Sequence, residues 1–230
     1  EIKDFISLKV KNQYENSPYP RWERIALKNN PTNVKVFLRN LSLSINEKII
    51  NKWEDINILV AGCGTGQHAI ATATKYKDSH VTAIDLSASS LSYAKRKADE
   101  LEIKNIDFFQ MDLLNLKKLK KKFNIIEAVG VLHHMDKPYH GWKVLCDNLV
   151  MGGLMMIGLY SKIARKHIVN IRNEIKMLNI KMNKKNIVDF REKIISSNAI
   201  DYNTIKQSPD FYAFSNLVDL LFHVQEHRFT

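Results

Sequence analysis

Cysteine is scarce in this chain, with Cys63 and Cys146 the two thiols in 230 residues. The pair has neither the spacing of a metal site nor the number for a disulfide framework. Both read as small, reduced, apolar side chains, and a nucleophilic Cys63 is the less economical alternative. Long apolar runs are missing as well. None approaches the roughly 18 residues that cross a bilayer, and the N-terminus has no signal-peptide pattern, so a cytoplasmic protein without a membrane partner is expected. The chain begins at Glu1 without methionine and reads as a processed or excised piece. Its 230 residues suffice for one full core with additions.

Acidic residues are outnumbered, 24 against 35 Lys and Arg, giving a formal net charge of +11. A basic balance raises nucleic acid as a partner. Yet the run Lys117, Lys118, Lys120, Lys121 and Lys122 carries no interleaved aromatic rings, which a single-strand-binding surface needs. The abundance of Lys, Asn and Ile is also what an AT-rich coding sequence produces without selection for a partner. The run reads as the coat of an exposed turn before a strand, and nucleic acid is the less favoured partner.

What is present is organised around residues 57–73. Ile58, Leu59, Val60 and Ala61 form a short buried-strand run, and Gly62, Gly64 and Gly66 follow as a turn without side-chain walls. From Gln67 onward Ala69, Ile70, Ala73 and Tyr76 recur at helical spacing. A strand, a glycine loop and a helix in that order leave backbone N–H groups free for a ligand. The dinucleotide pattern G-x-G-x-x-G requires a third glycine where this chain has Gln67. The G-x-G-x-G spacing favours S-adenosylmethionine (SAM) over NAD or FAD.

Upstream, residues 1–16 read as an amphipathic helix with Ile2, Phe5, Ile6, Val10 and Tyr14 near one face. Then Pro18, Tyr19, Pro20, Arg21 and Trp22 fix an extended segment, either a packed strap or a lid over a pocket. Residues 31–45 look helical, with Val34, Phe37, Leu38, Leu41 and Ile45 spaced for burial. Beyond the glycine loop, strands and helices alternate to about residue 160, which predicts a parallel sheet covered on both faces. The second strand ends on Asp85, placed to accept from ribose hydroxyls, while Ser87 caps the next helix. The third ends at Asp112, next to Leu113; an adenine contact and a turn cap are both open for that acid. The fourth runs into Gly130, Val131, Leu132, His133 and His134. The two histidines invite a base or metal hypothesis, but adjacent side chains diverge, so no metal is expected. The turn at Met151, Gly152 and Gly153 introduces a fifth strand, residues 154–160, whose Tyr160 reaches the ligand edge.

These residues, Ile58 to Gly66 with Asp85, Gln110 to Asp112, Gly130 to Met135 and the Gly152-Gly153 turn, resemble the ordered motifs of class I SAM-dependent methyltransferases. The resemblance covers about residues 55–160. The strap Tyr19-Pro20-Arg21-Trp22 and the tail, Asp210-Phe211-Tyr212 followed by His223 to Thr230, are similar to a bacterial subgroup of these enzymes (type 11/12-like) often fused to tetratricopeptide repeats, although no repeat is visible here. What it implies is an α/β fold, a Rossmann-like doubly wound sheet of strand order 3-2-1-4-5. Its core at 55–160 would stand between N-terminal helices and strap at 1–54 and a helical region at 161–230. The glycines would line the methionine part of SAM, Asp85 the ribose, and Asp112 with Leu113 the adenine. Ala61, Cys63, Gln67, Leu86, Met111, Gly130, Val131 and His133 would complete the cofactor contacts, with Tyr19 and Arg21 reaching in from the strap.

Two departures from the family pattern stand out. An acid is usual two positions before the first glycine, where this chain has Val60, so the ordinary anchor for the SAM amino group is absent; Tyr19, Arg21 or Gln67 are the candidate substitutes. The sheet normally ends in an antiparallel strand pair, whereas residues 161–179, 185–197 and 215–225 show helical patterns, so the chain is expected to be cut short of that pair or to fill its place with helices. Function follows as an expectation: methyl transfer from SAM, leaving S-adenosylhomocysteine (SAH), to a small-molecule or protein acceptor. An RNA methyltransferase and a non-catalytic SAM-binding module are the alternatives, and a dehydrogenase ranks last. A base is needed only if the acceptor must shed a proton early; His133, His134, Tyr160, Glu226 and His227 are the candidates, in that order. Asp210 and Tyr212 are further polar groups that either face the substrate or anchor helices.

Overall fold

The structure, a computed structural model, describes residues 2, 4–27 and 30–230. Helices α1 (Phe5–Asn16), α2 (Val34–Arg39) and α3 (Glu47–Ile50) precede β1 (Ile56–Ala61), α4 (Gln67–Lys75), β2 (Ser79–Asp85), α5 (Ala88–Glu100) and β3 (Ile106–Gln110). Then come β4 (Phe123–Val129), α6 (Pro138–Asp147), β5 (Leu149–Gly158), α7 (Lys166–Met177), α8 (Lys184–Ser196), α9 (Ile200–Ile205) and α10 (Phe214–Phe222). The strands form a five-stranded sheet ordered β3-β2-β1-β4-β5, with every pairing parallel. This is the order expected, and among the described residues no antiparallel pair extends it.

Alternation along β1 shows why the sheet is covered twice. Ile58 and Val60 join Ala69, Ile70 and Ala73 of α4 and Leu91 of α5 in one core. Leu59 and Ala61 join Val144 and Leu145 of α6 in another. Neighbouring strand residues point to opposite faces, and each fully buried Ile or Leu contributes about 1.5–3 kcal/mol. A third core belongs to the C-terminal helices, where Ile171, Phe190, Ile194, Ile205 and Leu217 pack together.

Several boundaries differ from the sequence expectation for local reasons. The helix predicted at 31–45 stops at Arg39, because Asn40, Ser42 and Ser44 favour turns, although Leu41 and Ile45 still pack on the core. In α1 the buried positions are Ser7, Val10 and Gln13, while Phe5 is 66% exposed. That helix is oriented by polar contacts to the tail, for Gln13 Oε1 accepts from the Val224 N–H at 2.9 Å. The Met151-Gly152-Gly153 turn lies inside β5, which begins at Leu149, and the register with β4 shifts there between Phe123 and Ile125. Helix α7 starts only at Lys166 because the chain first pairs with the tail: Phe229 N–H donates to Tyr160 O and Lys162 N–H to Phe229 O, each at 2.9 Å. Helix α10 ends at Phe222, and α9 went unforeseen.

Candidate functional site

Where the strands end at their carboxyl edge, the structure holds a cavity of about 440 Å³. Its floor is the glycine loop. Gly64, at φ +52°, has no room for a Cβ against the Tyr19 carbonyl, and the strap is stitched to this loop throughout. Thr65 N–H donates to Tyr19 O at 3.1 Å, Thr65 Oγ1 donates to Pro20 O at 2.6 Å, and Trp22 Nε1–H donates to Thr65 Oγ1 at 3.0 Å. The strap is packed, with Trp22 buried in the core, and its Tyr19 lines the cavity.

Asp85, the last residue of β2, and Asp112, just past β3, stand at one side, and both line the cavity with Leu86, Met111 and Leu113. Asp85 Oδ2 accepts from Gly64 N–H at 2.8 Å and Oδ1 from Ser87 N–H at 2.9 Å. Burial raises its pKa, while those N–H groups oppose the shift. Ser87 rather than Asp85 caps α5. Asp112 is a turn cap, its Oδ1 accepting from Leu114 N–H at 2.9 Å, and its buried side chain also borders the cavity.

Gly62, Cys63, Gln67, Gly130, Val131, His133, His134 and Tyr160 also line the cavity as anticipated. Cys63 is buried, and its thiol pKa is pushed up by that burial, which suits the apolar reading over a nucleophile. Three anticipated residues lie elsewhere. Ala61 is 1% exposed within the core. Gly66, at φ +84°, packs the start of α4 against α5, where a Cβ would come within 2.5 Å of Ala94 Cβ. Arg21 turns outward beside Glu23, its side chain 68% exposed.

The roof comes from both ends of the chain and was mostly missed. Ser7, Val10 and Tyr14 of α1 and Asp219 of α10 face the cavity. Tyr14 Oη donates to Asp219 Oδ1 at 2.6 Å, and His223 Nε2 lies 3.1 Å from the same hydroxyl. His223 Nδ1 accepts from Gln225 N–H, so Nε2 carries the ring proton and the chain of donors runs His223 to Tyr14 to Asp219. Burial raises Asp219 to about 6. The only sequence signal was Tyr14, one turn from Val10 on an amphipathic helix.

The histidine pair is held tightly. His133 stacks on Tyr160 at 3.6 Å, and neither of its buried ring nitrogens has a hydrogen-bond partner. Burial lowers it to about 2. His134 Nδ1–H donates to Gln225 O at 2.7 Å, and burial lowers this ring to about 4. His134, Asp219 and His223 approach within 4.8 Å of one another. The two imidazoles are stacked face to face at 3.5 Å with their planes 18° apart, which aims their in-plane lone pairs side by side rather than at a common ion. The tail polar groups act as anchors. Glu226, its side chain 1% exposed, pairs with Arg165, Arg172 and Arg228, His227 N–H donates to His133 O, Asp210 accepts from Asn216 and Tyr19, and Tyr212 is 61% exposed.

Comparison with known proteins follows the same outline. A protein-family model described as "Methyltransferase domain" matches residues 58–153. The Synechococcus sp. protein syc1184_c is 35% identical over 122 residues, covering 53% of this chain and 29% of its own. Malonyl-[acyl-carrier protein] O-methyltransferase of Bacillus cereus is 23% identical over 128 residues, 56% of this chain and 46% of that one. This chain thus spans less than half the length of either relative. The solved structure of PKMT2 from Rickettsia typhi in complex with AdoHcy shares the fold, with a TM-score of 0.57 at 17% identity over 76% of this chain and 36% of that one.

Proposed function

We propose that this protein is a class I SAM-dependent methyltransferase that transfers a methyl group from SAM to a small-molecule or protein acceptor, a reading supported by the methyltransferase-domain match at residues 58–153. The observation that carries this reading is the convergence of Asp85, Asp112 and the glycine loop on one cavity. Two strand-end carboxylates beside Met111 and Leu113 fit a ribose and an adenine ring. SAM, when bound, supplies a methyl group on a sulfonium with its leaving group built in. Binding of AdoHcy by the Rickettsia typhi protein supports the same cofactor pair here.

The chain's own task is then orientation and proton handling. Asp85 accepts from the ribose hydroxyls, and Tyr19, closing over Gly64, excludes water from the cofactor. The acceptor occupies the space between Tyr160, His133, Tyr14 and Asp219, where positioning alone supplies up to roughly 7–11 kcal/mol of barrier reduction. His133 stays neutral near pH 7 and orients the acceptor through a ring nitrogen rather than holding a charge. Asp219, raised to about 6, is the better proton acceptor, and Tyr14 steadies its carboxylate. Glu226, tied to three arginines, and His227, which is not among the residues lining the cavity, are set aside as bases.

Net charge gives little support to an RNA acceptor. The lysine-rich turn precedes β4 and so lies at the amino edge of a parallel sheet, opposite the cavity. Reduced thiols, among them exposed Cys146, suit the cytoplasm. The helical flanks at 1–54 and 161–230 belong to this reading as the parts that build the roof. Calorimetric titration with SAM, SAH and NAD tests the proposal: micromolar binding of the sulfur nucleosides, lost in Asp85→Ala, is expected. NAD binding in their place, or no binding by folded protein, overturns it.

A further inference from the structure

Val60 leaves the end of β1 without an acid, yet a carboxylate stands beside it. In the parallel register of β1 and β4, Val60 pairs with Glu127, and in-register partners on neighbouring strands share a face of the sheet. Glu127 therefore occupies the α4 side one strand over. It is 6% exposed, and a buried charge persists only with partners. Both partners come from α4: Thr72 Oγ1 donates to Glu127 Oε2 at 2.7 Å, and His68 Nε2 lies 2.9 Å from the same oxygen. They sit four residues apart, one above the other on a single helical face.

His68 joins this buried carboxylate to the cavity, which it lines beside Gly64 and Gln67. A carboxylate accepts only, so Nε2 carries a proton, and in the neutral ring Nδ1 is left with a lone pair. Strand order adds direction. A ligand laid across the strand ends from β3 to β1 passes Asp112, then Asp85, then the glycine loop, and next meets the start of α4 on the β4 side. Its far end thus meets a histidine backed by a buried carboxylate, a pairing that suits a cationic donor.

We propose that His68, held by Glu127, is the anchor for the α-ammonium group of SAM and SAH, moved from β1 to β4 and α4 in this chain. This rests on the function proposed above. His68 is the contacting group and Glu127 a positioning residue that fixes its tautomer.

Paired calorimetric titrations with SAH and with 5′-methylthioadenosine, which lacks the amino-acid end, provide the test. His68→Leu is expected to raise the Kd for SAH about ten-fold or more, the scale of one lost hydrogen bond to a charged group, while leaving 5′-methylthioadenosine within about two-fold. Glu127→Gln is expected to shift the same ratio in the same direction; should it fail to fold by its melting transition, His68→Leu decides alone. Equal losses for both ligands, or none for either, overturn the anchor while leaving cofactor binding intact. Wild-type protein that binds neither ligand overturns the proposed function and the anchor together.

Discussion

The hydroxyl of Tyr14 donates to the carboxylate of Asp219 at 2.6 Å across a sequence separation of 205 residues. Neither partner belongs to the sheet. Tyr14→Phe removes the donor and leaves a buried carboxylate short of a partner, which costs about 1–3 kcal/mol. The expected result is a lower urea midpoint with an unchanged m-value; an unaltered midpoint contradicts the arrangement.

Asp219→Asn removes the proposed proton acceptor while keeping shape. Once an acceptor substrate is in hand, methyl transfer is expected to fall by about 10²–10⁴-fold, with SAH affinity unchanged by calorimetry. A rate within a factor of a few of wild type shows that the acceptor needs no base at this position.

Acid is the weak side of this protein. Burial lowers His133 to about 2 and His134 to about 4, and holds His223 further down, against about 6.5 when unfolded. Groups that refuse protons in the folded state contribute stability above their unfolded pKa and lose it as pH falls towards the folded one. Asp219 runs the other way: raised to about 6, it favours the folded state at low pH and loses that contribution as pH rises from about 4 to 6. Three histidines against one carboxylate give an uptake of about two protons on unfolding near pH 5. The urea midpoint is therefore expected to fall between pH 7 and pH 5, and a flat or rising midpoint contradicts the buried cluster.

Gly66→Ala puts a Cβ where φ is +84° and Ala94 Cβ would be 2.5 Å away. Strain of this kind costs about 1–3 kcal/mol. Because Gly66 faces α5 rather than the cavity, the expected loss appears in the melting temperature, with SAH affinity of the folded fraction little changed. A large loss of affinity with normal melting reverses that assignment.

Glu226→Gln takes one charge from a group that holds Arg165 at 2.9 Å and Arg228 at 3.1 Å. Leaving buried cations uncompensated costs about 3–5 kcal/mol, so a marked fall in melting temperature is expected. Retained stability shows instead that the arginines reach solvent.

Legibility followed the physics of each part. The strand runs of Ile58 to Ala61 and of Phe123 to Val129, and the acids at strand ends, were readable because period and position are local properties. Asp85 and Asp112 came from the same logic. The packing of Gly66 on α5 was hidden because a glycine tells of a missing Cβ without saying whether ligand or helix takes the space. The partnership of Glu127 with His68 was invisible, since an acid in a strand declares its register only once the neighbouring strand is placed. Asp219 and Tyr14 meet through tertiary docking of two helical segments, for which no short-range pattern exists. Boundaries at Arg39 and Lys166 moved because turn-forming residues and tail pairing overrode hydrophobic spacing.

The tail segment that binds the histidine loop also sets an order of events during synthesis. Every strand among the described residues is complete by Gly158, yet Asp219 and the Gln225 carbonyl that orients His134 leave the ribosome later still. A nascent chain emerging from its N-terminus therefore owns a finished sheet and an open trough before it owns a chamber. The cavity is closed only once Asp219 and Gln225 have emerged, so a chain stalled just short of them would be folded in its centre and roofless.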